Sequence, residues 1–124
     1  MGELVAIAAG GSLGAVMRYA MSNAVYGWLG RGFPYGTLSV NVIGSFLIGI
    51  AFVLLTEKLT LGSEVRAFFL IGFLGAFTTF STFSLETLTL LQQGSLVKAV
   101  ANIFLSVLLC LIATWGGMVL AKAI

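Results

Sequence analysis

The side chains capable of chemistry concentrate between Gly72 and Thr87. Six hydroxyls (Thr78, Thr79, Ser81, Thr82, Ser84 and Thr87) fall within ten residues, among Phe77, Phe80 and Phe83 at intervals of three, and Glu86 continues that interval. On a helix, Phe80, Phe83 and Glu86 lie close to one face. A phenyl ring presents a positive edge and a negative face, so edges attract an anion and faces a cation. Hydroxyls from Thr79, Ser81 and Thr82 donate to an anion or accept from a hydrated cation. No ring of carboxylates or of Lys and Arg crosses the middle of any apolar stretch, although such rings are common selectivity devices for ions. The chemistry on offer is the desolvation of a small, hard ion. Gly75, followed by Thr78 and Thr79, adds a second possibility. A helix broken there would free carbonyls able to hold Na⁺, whereas an unbroken helix would let the threonines bond back to carbonyls four residues earlier.

These residues need a membrane-spanning frame. Of 124 residues, 60% are hydrophobic and 8% charged, with a mean hydropathy of +1.14. That is far too little charge for a soluble domain. About 20 apolar residues cross a bilayer, so residues 1–124 read as one integral membrane domain with spans near 4–28, 35–56, 66–91 and 96–120. The first apolar stretch lacks a basic leader and a small-residue cleavage site, so it does not read as a removable signal. The chain contains no histidine and only one cysteine, Cys110. This excludes an intrachain disulfide, a His-based metal site and a nucleophile–base pair, so an enzyme is not expected. Nucleic-acid binding is excluded by the composition.

Within this frame several polar residues stand out. Gly10 and Gly14 have the GxxxG spacing of closely packed helices. Arg18, inside the first span, is either an interfacial anchor or part of a polar vestibule. Asn41, about two turns into the second span, is either an interhelical tie or a donor facing a pore. Asn102, Ser106, Cys110 and Thr114 recur every fourth residue, which places them on one face of the fourth helix.

With four spans the termini share a side, and that side carries Lys58, Arg66 and Lys122. The opposite side carries Arg31 and Lys98, with Arg18 if it reaches the interface. So small a bias fixes no single orientation. Copies inserted both ways can pair about an axis in the membrane plane. The expected assembly is an antiparallel, dual-topology homodimer.

Three segments carry a resemblance: residues 10–19, GGSLGAVMRY; residues 36–46, GTLSVNVIGSF; and residues 72–86, GFLGAFTTFSTFSLE. Through them the chain resembles, over nearly its whole length, the Fluc (CrcB) fluoride channels of bacteria. The resemblance implies an all-α dual-topology homodimer with two pores, passively exporting F⁻ across the bacterial cytoplasmic (inner) membrane. It implies ring edges of Phe80 and Phe83 facing fluoride, and Asn41 lining the pore with the hydroxyls of Thr79, Ser81 and Thr82. A polar track on the fourth helix would comprise Ser106, Cys110 and Thr114, with Cys110 the weakest donor and Asn102 one turn earlier. Arg18 and Glu86 would belong to the vestibule. The third helix would break between Gly75 and Thr79, with Gly75 and Thr78 carbonyls from each subunit holding a structural Na⁺. A rival with the same outline is a small multidrug transporter, but that class needs a carboxylate within the first helix, and beyond Glu3 the first span has none.

Overall fold

In the computed structural model, which describes residues 1–124, the chain is entirely helical. Helix α1 is Gly2–Leu29. Helix α2 is Tyr35–Val53, extended by a π-helical turn, Leu54–Lys58, into a 24-residue span. The third span, Ser63–Gln92, is in two parts. Helix α3, residues 63–77, comprises an α-turn Ser63–Arg66, a π-helical stretch Ala67–Phe73 and an α-turn Leu74–Phe77. Helix α4 is Phe80–Gln92, and α5 is Leu96–Ala123. The shortest span, 24 residues, would reach about 36 Å at 1.5 Å per residue, enough for a hydrocarbon core of about 30 Å.

The connections are shorter than the apolar runs suggest. The segment joining the second and third spans is residues 59–62, because Glu57 and Lys58 belong to a wide turn closed by Leu59 N–H donating to the Leu54 carbonyl at 2.8 Å. The α4–α5 turn depends on Gly94, at φ 80°. Ser95 N–H donates to the Leu90 carbonyl at 2.9 Å and Gly94 N–H to the Leu91 carbonyl at 3.1 Å. This double closure needs a left-handed residue, which glycine supplies without a steric cost.

Two glycine seams hold the bundle. A Cβ on Gly14 would lie 2.2 Å from the Phe73 carbonyl oxygen, and one on Gly10 would lie 2.3 Å from that of Phe68. The GxxxG pair of α1 thus lets its backbone meet the π-helical stretch of α3 directly. The second seam joins α2 to α5. There a Cβ on Gly49 would sit 2.2 Å from the Thr114 carbonyl oxygen, and one on Gly117 would sit 2.2 Å from that of Phe46. Such close approach is how membrane helices gain van der Waals contact without a hydrophobic driving force between them. Only 21 of 124 residues are buried, so most apolar surface, including Leu108, Leu111 and Ile112, faces outward. In water that would be untenable; against lipid it is expected.

Candidate functional site

The third span is interrupted at Thr78 and Thr79. Both are extended, Thr78 at φ −90°, ψ 158° and Thr79 at φ −150°, ψ 119°. Gly75 stays within the helix, so the interruption falls at the far end of the interval read from the sequence. β-Branched threonine tolerates extended backbone well, and its hydroxyl can cap a helix. Thr79 Oγ1 accepts from Thr82 N–H at 3.2 Å and donates to Thr82 Oγ1 at 3.0 Å. Back-bonding occurs beside the break: Thr78 Oγ1 donates to the Leu74 carbonyl at 3.0 Å.

The break is clamped from α2. Thr79 N–H donates to Asn41 Oδ1 at 2.8 Å, and Asn41 Nδ2 donates to the Thr79 carbonyl at 3.0 Å. The carboxamide pairs with the peptide as a neighbouring strand would. Two carbonyls lose their ordinary helical donors as a result. Thr79 N–H, which in a continuous helix closes onto Gly75, is turned to Asn41. Thr82 N–H, which would close onto Thr78, is turned to Thr79 Oγ1. The intervening Ala76 carbonyl accepts from Arg18 Nε at 2.9 Å. Arg18 therefore sits on the break.

Glu86, grouped with Arg18 by the resemblance, is held by a different partner. Its Oε2 accepts from the Tyr26 hydroxyl at 2.9 Å, and Oε1 is buried without a partner. The Arg31 guanidinium lies 4.4 Å from the centre of the Tyr26 ring. Nothing in the local sequence of Tyr26 points to Glu86, sixty residues away.

Beside the break, α2, α4 and α5 enclose an open groove of about 380 Å³. Asn41, Thr79, Phe80, Phe83, Ser106 and Cys110 all line it. Ser45 and Thr78 line it too. Ser45 is a lining residue that the sequence reading missed, although it lies one turn beyond Asn41 on the same helix face. Ser81, Thr82 and Thr114 are not among the lining residues. Ser81 Oγ lies 3.4 Å from Thr79 Oγ1, which puts Ser81 and Thr82 in the cap of α4. The Thr114 backbone packs against Gly49. The every-fourth stripe of α5 thus divides: Ser106 and Cys110 meet the groove, Thr114 the seam with α2, and Asn102 is buried against α4. Phe80 and Phe83 have ring centroids 5.2 Å apart, inclined at 47°. Phe77 instead stacks on Phe73 in the core at 6.0 Å and 4°. Phe83 is 8% exposed, but Phe80 is 76% exposed, so within one chain only one of the two rings is covered.

No ionised side chain lines this groove. It offers phenyl rings, hydroxyls, a thiol and the Asn41 carboxamide, whose nitrogen has a second N–H beyond the one given to Thr79. Such a surface can replace the water of a small ion without trapping it by net charge.

A family model described as CrcB-like protein, Camphor Resistance (CrcB), matches residues 5–118. A protein of Methylococcus capsulatus named fluoride-specific ion channel FluC is 58% identical over 120 residues, covering 97% of this chain and 53% of the relative. The chain thus spans about half the length of that relative. A protein of Magnetococcus marinus with the same name is 53% identical over 122 residues, covering 98% of this chain and 99% of the relative. A third so named, from Hydrogenovibrio crunogenus, is 52% identical over 116 residues, covering 94% and 88%.

Proposed function

The chain belongs to the CrcB family, and from that premise we propose that it is a fluoride-selective channel passing F⁻ passively out across the bacterial cytoplasmic membrane. The observation that carries this reading is the groove beside the break. It gathers Phe80, Phe83, Asn41, Thr79, Ser45 and Ser106 with no ionised side chain among its lining residues. Fluoride is small and strongly hydrated, so a selective path must return hydration energy through close donors and positive ring edges. Larger halides gain less from the same donors.

The working unit in this reading is an antiparallel homodimer with two pores. The exposure of Phe80 supports it, since a pore needs that ring covered on its other side. Gly75 supports it as well, being exposed next to the break with no close neighbour from another helix. Removing Arg18 from the interfacial tally leaves three basic residues on one side and two on the other, a balance compatible with insertion both ways.

The same assembly suits a structural Na⁺. The Gly75 and Thr78 carbonyls, both deprived of their ordinary helical donors, are neutral hard oxygens of the kind that coordinate Na⁺ at interrupted helices. Two from each subunit would hold the ion, which supplies fixed positive charge at the interface. The chain's own part is to keep these carbonyls aimed, through Asn41 and the Thr79 cap, and to occupy Ala76 with Arg18 so that it does not compete.

The test is efflux from KF-loaded liposomes carrying purified protein, followed with a fluoride electrode after adding a K⁺ ionophore. Rapid fluoride efflux is expected, with none of chloride from matched vesicles. Phe80→Ile and Phe83→Ile should cut flux sharply while the dimer still assembles. Normal efflux from either variant would remove the aromatic role, and none from the wild-type dimer in sodium-containing buffer would remove the channel reading.

A further inference from the structure

Behind the groove a buried polar chain links α4 to α5. Thr87, Asn102 and Ser106 are 8%, 2% and 7% exposed. Its hydrogen directions follow from one fixed point. Thr87 Oγ1 lies 2.7 Å from the Phe83 carbonyl, which can only accept, so the hydroxyl proton goes there. Thr87 Oγ1 must then accept from its other neighbour, which makes the facing atom of Asn102, at 2.8 Å, the amide nitrogen. Asn102 Oδ1 is thereby turned toward Ser106 Oγ, which donates to it across 3.4 Å. That last bond is long for a hydroxyl donor, whose usual reach is about 2.5–3.0 Å. Ser106, at the loose end of the chain, is the only one of the three that lines the groove.

Resting on the fluoride reading above, we propose that Asn102 is a positioning residue that holds the Ser106 proton whenever the groove is empty and yields it to an anion that arrives. Ser106 has one proton and two acceptors in reach: Asn102 Oδ1 behind it and an ion in front. Without Oδ1, the empty groove would contain a buried donor with its best partner gone, and the ion would be bound more tightly because it relieves that cost. With Oδ1, the ion gains only the difference between a good hydrogen bond and a stretched one. Conduction requires binding strong enough for entry and weak enough for exit. Thr87 keeps the carboxamide from turning over, so it belongs to the same device although it does not line the break-side groove.

The test first varies the two residues of the device that do not line the groove. Thr87→Val is nearly isosteric and frees the carboxamide to present its NH₂ to Ser106, which turns the Ser106 proton outward; Asn102→Leu removes Oδ1. For each variant the initial efflux rate is measured against KF concentration in liposomes. Both should lower the half-saturating fluoride concentration roughly three- to tenfold, the worth of one ordinary hydrogen bond, and slow efflux at saturation. Thr87→Ser, which keeps the hydroxyl, should match wild type. Both shifts should vanish in a Ser106→Ala background, a dependence that a purely structural tie between α4 and α5 would not show. If Asn102→Leu does not assemble, Thr87→Val against Thr87→Ser carries the comparison. An unshifted half-saturation in an assembled, conducting Thr87→Val protein overturns the proposal alone, as does a shift that persists with Ser106→Ala. Absence of fluoride efflux from wild type overturns the channel reading first, and this proposal with it.

Discussion

Replacing Asn41 with leucine removes both hydrogen bonds that hold Thr79, those at 2.8 and 3.0 Å. Leucine keeps the branched outline of asparagine, though it is bulkier, and has no polar atoms, so the Thr79 N–H and carbonyl both lose their partner. An unsatisfied buried backbone group costs about 1–3 kcal/mol. The site is part-buried and borders an open groove. Water reaching it will recover some of that loss, so a net destabilisation of about 2–4 kcal/mol is expected. Asn41→Asp retains an acceptor for Thr79 N–H but sets a carboxylate oxygen against the Thr79 carbonyl, so it too should destabilise. Ser45→Ala, on the same face of α2 but outside the clamp, should alter flux with little effect on stability. Trp28 and Trp115 provide fluorescence for unfolding titrations in mixed micelles of dodecyl maltoside and SDS. A midpoint for Asn41→Leu equal to wild type, or one lowered no further than that of Ser45→Ala, would refute the view that Asn41 is first a clamp on the break and only then part of the groove's lining.

Other substitutions test separate parts of the structure. Gly49→Ala and Gly14→Ala each place a methyl 2.2 Å from a backbone oxygen and should sharply reduce recovery of folded protein on size-exclusion chromatography, whereas Gly116→Ala, with nothing within 4 Å, should be recovered as wild type. Gly94→Ala forces an L residue to φ 80° and should cost about 1–2 kcal/mol in the same unfolding titration while leaving fluoride efflux in place. Exchanging Na⁺ for N-methylglucamine during purification and assay should lower efflux or dimer content; indifference after prolonged dialysis would count against the carbonyl site. Arg18→Gln removes the charge at Ala76 while retaining a polar side chain, and should slow efflux more than it changes recovery.

What the sequence made legible depended on how far apart the interacting residues lie. The spans could be read because apolar runs of bilayer length are local properties, and Phe80 with Phe83, like Ser106 with Cys110, repeat along their own helices at a helical period; that Asn41 joins them in one site followed only from the family resemblance. The exact break could not be read. Gly75 is the more flexible residue, yet the chain opens at two threonines, because the deciding partner is Asn41, thirty-eight residues earlier. The same limit applies to Arg18, whose acceptor is fifty-eight residues away, and to Tyr26 and Glu86, separated by sixty. Thr114 shows a different failure. Its spacing matches the stripe, but the helix-to-helix approach at Gly49 decides which part of that stripe meets the groove.

The interruption at Thr78 and Thr79 also has an electrostatic consequence. In a continuous helix the peptide dipoles run head to tail and their partial charges cancel except at the two ends, each worth about half an elementary charge. Cutting the third span places two further ends beside each other: the carbonyl end of α3, partly negative, and the amide end of α4, partly positive. Two residues of extended backbone therefore provide regions of opposite polarity within the hydrocarbon layer, with Arg18 moderating one and the Thr79 hydroxyl the other. A negative ion near Phe80 meets the amide end and a positive ion near Gly75 meets the carbonyl end. This polarity comes from backbone alone, so it does not change with pH.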